Sequence, residues 1–363
     1  MRKKLVAVAT AGVLTLSGLT ACTDDDDKAV AGKKGTKVGV ILPDTSTSQR
    51  WGSDDPKLLK KAFDAAGVEV DIQNAQGKAD TFISIADKMI ATGAKVLVIA
   101  SLDPGSGKTV LDKARAAGVK TIDYDRLTLN GNADYYVSFD NVKVGRLQGE
   151  GLVKCLQAKG VDNPRVAYLN GAPSDNNATL FRDGYDSVLQ PRYDDGTYQK
   201  GPEQAVPRWN NDEGRFIFDQ MIADTDGKID GVLAANDGLG NAAITVLKRQ
   251  RRNGVVPVTG QDAEVQGLQN ILAGDQCMTV YKPIKKEADA AAKLAISLFK
   301  DQPAKATKRV KDPQSGGYVP SVLLEPSAIF KKDIEAVIKD GFVDRKTVCA
   351  GAYRKLCRNN GIR

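Results

Sequence analysis

The chain has 363 residues, a length that exceeds one ordinary core and predicts two lobes. Apolar residues make up 42%, enough to build cores and too many for a disordered chain, and the formal charge is +7. There is no histidine. That excludes Ser-His-Asp and Cys-His catalysis, histidine-ligated zinc and histidine proton shuttles, while carboxylate, lysine and phosphoryl-transfer chemistry stay open.

"MRKK" and the apolar run "LVAVATAGVLTLSGL" read as the two regions of a signal peptide, the run being short for a bilayer span. It ends in "LTAC" at 19–22, which resembles a bacterial lipobox. Residues 1–22 are therefore expected to be a lipoprotein signal, with Cys22 lipidated, anchoring the protein outside the cytoplasmic membrane. An ordinary secretory signal with a stray cysteine is the alternative. Residues 23–35 are polar and free of aromatics, a flexible tether. The other cysteines are even in number in an oxidising compartment and allow three pairings. Cys349–Cys357, closing "CAGAYRKLC", and Cys155–Cys277 are the expected pairs.

From residue 37 short β-branched runs alternate with helical patterns: "KVGVILP", "DDPKLLKKAFDAAG", "VEVDIQNA", "ADTFISIADKMIATG", "AKVLVIAS", "GKTVLDKARAAG", "VKTIDYDR". Such alternation means parallel strands covered by helices on both faces. It restarts with "NVKVGRLQGEGLVKCLQAKG" and "RVAYLNG" and runs on through "GVLAAND", "VPVTG" and "CMTVYKP". Two α/β halves are the economical reading. The first is expected over 36–139 with about 283–319, the second over 140–282 with about 320–345, and 346–363 as a tail carrying a cysteine pair.

Three stretches imitate other functions. "SLDPGSGKTV" (101–110) suggests a phosphate loop, but Leu102 stands where the first glycine belongs, and a turn with Ser106 as helix N-cap is the plainer reading. "DTDGKIDG" has its glycine at the fourth place of a calcium loop, where an EF-hand wants it at the sixth. "KRQRR" (248–252) ends an apparent helix, where cations suit the dipole, and no aromatic interleaving marks a nucleic-acid surface. No nucleic-acid partner, metal or cofactor is expected.

Ligands in open α/β sheets sit beyond the carboxyl ends of strands. The segments there, such as "DYDR", "NGAPSDNN", "AAND", "TGQDA" and "YKP", are rich in Asp, Asn, Arg and Lys and lack a nucleophile–base pair. That is the make-up of a polyol-binding cleft, since acids and amides pair hydroxyls well.

"DYDR", "YYVSFDN", "APSDNNATLFRDG", "AANDG", "GQDAE" and "MTVYKP", in this order, resemble the periplasmic sugar-binding proteins of ABC importers, over roughly residues 36–342. The similarity is strongest to the xylose-binding and multiple-sugar-binding types. It implies a type I periplasmic-binding fold, two Rossmann-like lobes joined by three crossing segments, near 138–141, 282 and 320, and binding without catalysis. The implied pocket takes Arg50 and Trp51 from "SQRWG", Asp125 and Arg126 from "YDR", and Asn177, supported by Asp175, from "SDNNA". Trp209 from "VPRWN", Asn236 and Asp237 from "AAND", Asp262 from "GQDA" and Lys282 from "YKP" complete it.

Plainer roles stand beside these. Arg126 could neutralise Asp125, either tryptophan could be core, and Asp237 is either a ligand or a helix N-cap. Residues 191–208 depart from the motifs. The resemblance implies a monomer that holds a monosaccharide and passes it to a membrane permease. A sugar sensor feeding a chemotaxis or kinase receptor, and an enzyme using Asp237 and Asp262, are the rival functions.

Overall fold

The computed structural model describes residues 37–362. The signal, Cys22 and the tether expected from the sequence lie outside them. Among the described residues no helix is long and apolar enough to cross a membrane.

The chain begins with β1 (Lys37–Leu42), α1 (Arg50–Ser53), α2 (Asp55–Ala65), β2 (Glu69–Asn74), α3 (Ala79–Ala91) and β3 (Ala94–Ile99). It continues through α4 (Pro104–Ala116), β4 (Lys120–Tyr124) and β5 (Tyr135–Phe139). These five strands pair in parallel in the order β5-β4-β3-β1-β2. Being covered on both faces, β1 and β3 are almost continuously apolar and buried, as parallel strands require. One face packs under α2 with Leu59 and Phe63, the other under α3 and α4 with Phe82, Met89 and Leu111.

The chain then crosses into α5 (Asn141–Ala158), β6 (Arg165–Asn170), α6 (Asn176–Asp194), β7 (Gln199–Ala205), α7 (Asn211–Asp224), β8 (Gly231–Ala234), α8 (Asp237–Arg249), α9 (Val265–Ala273) and β9 (Thr279–Tyr281). A second sheet runs β7-β6-β8. The expected strand "VPVTG" enters it as a single bridge, Val232 to Val258, since Pro257 has no N–H to give. Backbone bonds from Cys277 N to Val258 O and from Val280 N to Gly260 O then tie β9 alongside. Helices α5 and α6 approach very closely because Gly145 and Gly184 face each other's backbone. A Cβ on Gly145 would lie 1.9 Å from the Phe181 carbonyl oxygen.

After β9 the chain returns to the first lobe as α10 (Ile284–Phe299), which packs on α2, and as the antiparallel pair β10 (Lys308–Lys311) and β11 (Tyr318–Leu324). β11 pairs with β5 through Leu324, so the first sheet extends past the boundary expected near 319 and the third crossing falls at 325–326 rather than near 320. Pro320 lies opposite Arg309 of β10, just before the parallel pairing with β5 begins at Ser321. The chain ends on the second lobe with β12 (Ser327–Ile329), paired to β9, and α11 (Ile334–Lys339), α12 (Arg345–Val348) and α13 (Tyr353–Asn359).

Residues 346–362 are not a loose tail. Val348, Cys349, Cys357 and Ile362 are buried against Leu268 and Ile271 of α9 and Tyr281 of β9. Two of the stretches that imitate other functions resolve locally. Asp103, not Ser106, caps α4: its carboxylate accepts from Ser106 N at 2.9 Å, with Pro104 opening the helix and Lys108 paired to Asp112 at 2.7 Å. The basic run ends α8 in intramolecular pairs, Lys248 with Asp275 and Arg249 with Asp219.

Cys155 is bonded to Cys277, 122 residues apart, and Cys349 to Cys357. The first joins α5 to the strand edge before β9. Replacing Cys155 and Cys277 together by serine is expected to lower unfolding stability by about 2–5 kcal/mol, read as an earlier urea midpoint. Non-reducing peptide mapping should recover the same two links; a Cys349 peptide joined to Cys155 would contradict this topology.

Candidate functional site

Strand ends of both lobes and the β9–α10 crossing meet at a small, tightly lined hollow with about 30 Å³ of open space. Nine of the ten residues expected from the sequence line it: Arg50, Trp51, Asp125, Arg126, Asn177, Trp209, Asn236, Asp262 and Lys282. Asp237 does not.

Arg50 is 6% exposed. Its Nε and Nη2 donate to the two oxygens of Asp55 at 2.7 and 2.8 Å, Nη2 also to Glu287 Oε2 at 2.6 Å, and Nη1 to Asp125 Oδ2 at 2.9 Å. A guanidinium has five N–H groups. Four are committed inside the protein, so Arg50 has one left, on Nη1. Its carboxylate partners outweigh the burial that would lower its pKa and hold it well above the ordinary arginine value.

Asp125 follows β4 with φ +63°, a left-handed conformation that a non-glycine residue adopts at a cost. Its carbonyl oxygen is held by Tyr136 OH at 3.1 Å, Ser138 Oγ at 2.8 Å and Asn177 Nδ2 at 3.0 Å. Asn177 Nδ2 also donates to Asp125 Oδ1 at 3.1 Å, while Asn177 Oδ1 accepts from Asn141 Nδ2 at 2.8 Å. The first crossing thus positions a residue of each lobe. Burial alone would raise the Asp125 carboxyl, but Lys282, Arg50 and Arg126 outweigh it, so its pKa is lowered. Its two oxygens keep free lone pairs for hydroxyl donors.

Arg126 makes its direct ion pair elsewhere than with Asp125, to which it contributes only its nearby charge. Its Nε pairs with Asp175 Oδ2 on the other lobe at 3.1 Å, and Nη1 reaches Ser101 O at 3.2 Å. Asp175 caps α6 and also accepts from Trp209 Nε1 at 3.2 Å. Burial lifts the Asp175 carboxyl above its usual value, Arg126 offsetting only part of that. Lys282 Nζ lies 3.3 Å from Asp262 Oδ1 and 3.7 Å from Asp125 Oδ2. Burial would lower its pKa, but these two carboxylates hold it above the ordinary lysine value.

The two indoles take different supports. Trp51 lies under the Arg50 guanidinium, 4.4 Å from ring centroid to carbon, and its buried Nε1–H has no protein partner. Trp209 stands edge-on to Phe181, and Gly171 makes room for its ring: a Cβ there would lie 2.1 Å from Trp209 Cη2. Both rings are buried, and both line the hollow.

Asn236 caps α8, its Oδ1 accepting from Leu239 N at 2.8 Å, which keeps its amide nitrogen for the hollow. Asp237 is therefore neither cap nor ligand. It is fully buried, accepting from Glu264 N at 2.9 Å and Gln276 Nε2 at 2.7 Å, and burial pushes its carboxyl far up. Asp262 lines the hollow and Asp237 does not, so the two carboxyls do not face a common ligand. Among the described residues no group of three or more His, Cys, Asp or Glu side chains is placed to hold a metal ion.

The sequence reading missed several contributors, Thr47 and Ser48 of the hollow's lining among them. Phe181 lies one turn beyond Asn177 in the quoted "NATLFRDG", so the shared helix face was a usable signal. Gln261, beside Asp262, lines the hollow with its Oε1 buried and unpartnered. Asp55 and Glu287 act behind Arg50, and nothing in "DDPK" or "IKKEAD" marks them as other than helix-surface acids.

The model of the periplasmic binding protein domain family matches residues 38–303. The D-xylose-binding periplasmic protein of Escherichia coli (strain K12) is 37% identical, covering 85% of this chain and 91% of that protein. The multiple sugar-binding periplasmic receptor of Rhizobium radiobacter is 36% identical, covering 86% and 92%. A solved ABC transporter solute-binding protein from Clostridium phytofermentans, with bound β-D-glucose, superposes with a TM-score of 0.79 at 32% identity, covering 86% of this chain and 99% of that one. All three are binding proteins rather than enzymes. With the two-lobed architecture and the match over most of its length, this chain belongs to the periplasmic binding protein domain family.

Proposed function

We propose that the chain is a lipid-anchored solute-binding protein that captures a neutral monosaccharide of the xylose or glucose type by lobe closure and delivers it to an ABC permease. The observation that carries this reading is the hollow itself, where acids, amides, a lysine, guanidinium groups and two indoles from both lobes converge. Its chemistry suits a sugar: carboxylates and amides for hydroxyls that donate and accept, flat rings for C–H faces. Hydrogen bonds to charged groups contribute about 1.5–3 kcal/mol each, so a handful gives micromolar or tighter affinity after ordering costs.

The charge balance narrows the ligand. Arg50, Arg126 and Lys282 face five carboxyl groups, Asp55, Asp125, Asp175, Asp262 and Glu287. No cation is free to receive an anion, and a further negative charge would be repelled. Uronates and sugar phosphates are therefore poor ligands. The names of the relatives, which bind xylose and several sugars, support the same class. A lipid on Cys22 would keep the protein beside its permease.

The only two tryptophans, Trp51 and Trp209, both line the hollow, so emission reports occupancy. Titration with D-xylose, D-glucose, D-galactose, L-arabinose and D-ribose should give saturable binding with a strong emission change for at least one, and none for D-glucuronate or glucose 6-phosphate. Saturable binding of the anions instead would refute the charge argument. Asp125→Asn keeps the shape but removes the charge, and is expected to weaken the best sugar by about 10- to 150-fold, the worth of one charged hydrogen bond. Gly171→Ala forces the Trp209 ring to move and should cost about tenfold or more in affinity, on the scale of overpacking. Unchanged affinity in that variant, measured by calorimetry, would remove Trp209 from the ligand surface.

A further inference from the structure

Glu287 sits in the first turn of α10, five residues past Lys282, in a segment whose lysines suggest an exposed helix face. It is instead fully buried, 2.6 Å from Arg50 Nη2, and its other oxygen, Oε1, has no protein partner. The groups around it are Arg50 of α1, Asp55 of α2, Tyr124 and Asp125 at the end of β4, and Lys282 of the crossing. It does not line the hollow, so its influence on a ligand has to pass through Arg50.

We propose that Glu287 is a positioning residue for ligand capture: by holding Arg50 Nη2 together with Asp55, it leaves the one uncommitted N–H of that guanidinium, on Nη1, for the sugar. The inference rests on the proposed sugar-binding function. Asp55 alone grips Nε and Nη2 from one edge. Glu287 takes the second Nη2 hydrogen at 2.6 Å, which would otherwise fall to the longer contact with Tyr124 OH at 3.3 Å. Because α10 starts at the crossing that carries Lys282, the same contact ties the crossing to the first-lobe wall of the hollow. Burial pushes the Glu287 carboxyl up to about 8, with Arg50 offsetting part of the rise and Asp125 adding to it. An amide has the same acceptor and nearly the same shape.

Calorimetric titration of the full chain with D-xylose and D-glucose tests this. Glu287→Gln should stay within about 3-fold of the wild-type affinity, whereas Glu287→Leu should lose about 10-fold or more, as expected for a lost charged hydrogen bond. In an Arg50→Lys background the leucine change should cost less than about 2-fold, since the partner is gone. Wild-type affinity in Glu287→Leu, an equal loss in Glu287→Gln, or an undiminished loss in the Arg50→Lys background would overturn the proposal. Glu287→Met carries the same comparison where the leucine variant fails to fold. If the wild type binds no sugar, the proposed function falls and this inference with it, whereas normal wild-type binding with a silent Glu287→Leu sinks this inference alone.

Discussion

One buried guanidinium organises the first-lobe wall. Arg50 gathers Asp55, Asp125 and Glu287 around a single cation, with Tyr124 OH also at hand. Taking these charges out of water is costly, and the attraction between them repays that cost only when every hydrogen bond is made. Removing one member leaves a buried charge without its partner, a loss of roughly 3–5 kcal/mol in comparable interiors. The arrangement is therefore all-or-none, which suits a residue that must present a single N–H in one direction. Trp51 packed beneath the guanidinium shields it further from water and strengthens each contact.

Backbone strain collects at the same place. Asp125, Trp209 and Asp262 all have positive φ, and Ala263 follows Asp262 in the same region. Each such residue costs about 1–3 kcal/mol and persists only where its surroundings fix it. At Asp125 three side-chain donors fix the carbonyl oxygen, while its N–H bonds to Val137 O at 2.8 Å. At Asp262 the N–H bonds to Val280 O at 2.8 Å. In both cases the strained turn swings a carboxylate off the end of the sheet and toward the hollow.

Much of this was legible in the chain. Parallel α/β alternation shows because strands buried on both faces read as apolar runs, and Arg50, Asp125, Asn177 and Lys282 stand at strand ends where ligands gather. What escaped had weak local signals. β7, "QKGPEQA", carries no apolar alternation; it is a sheet edge, and a register shift at Val166–Tyr168 absorbs Gly201 and Pro202. Asp237 looked like Asn236, its neighbour, in a sequence that does not say which of two adjacent polar residues turns inward. Glu287 and Asp55 were invisible because their burial depends on a partner more than 200 residues away in one case and on a four-residue helix in the other.

Under the proposed function, binding and closure are one event. Asn141, just past the first crossing, holds Asn177 of the second lobe, which holds Asp125 of the first. The second crossing carries Lys282 between Asp125 and Asp262. Arg126 reaches across to Asp175, whose other contact is the indole of Trp209. The Asn177–Asp125 and Arg126–Asp175 links span the two lobes, so separating the lobes would break them together. A ligand shifts a conformational equilibrium only by its difference in affinity for the two states. A sugar that touched one lobe alone would gain nothing from closure. One that bonds to Asp125, Asn177 and Asp262 at once is held in full only when the links above are also formed. Carboxylates already committed to cations are poor proton acceptors, which makes the same network a good grip and a poor catalyst.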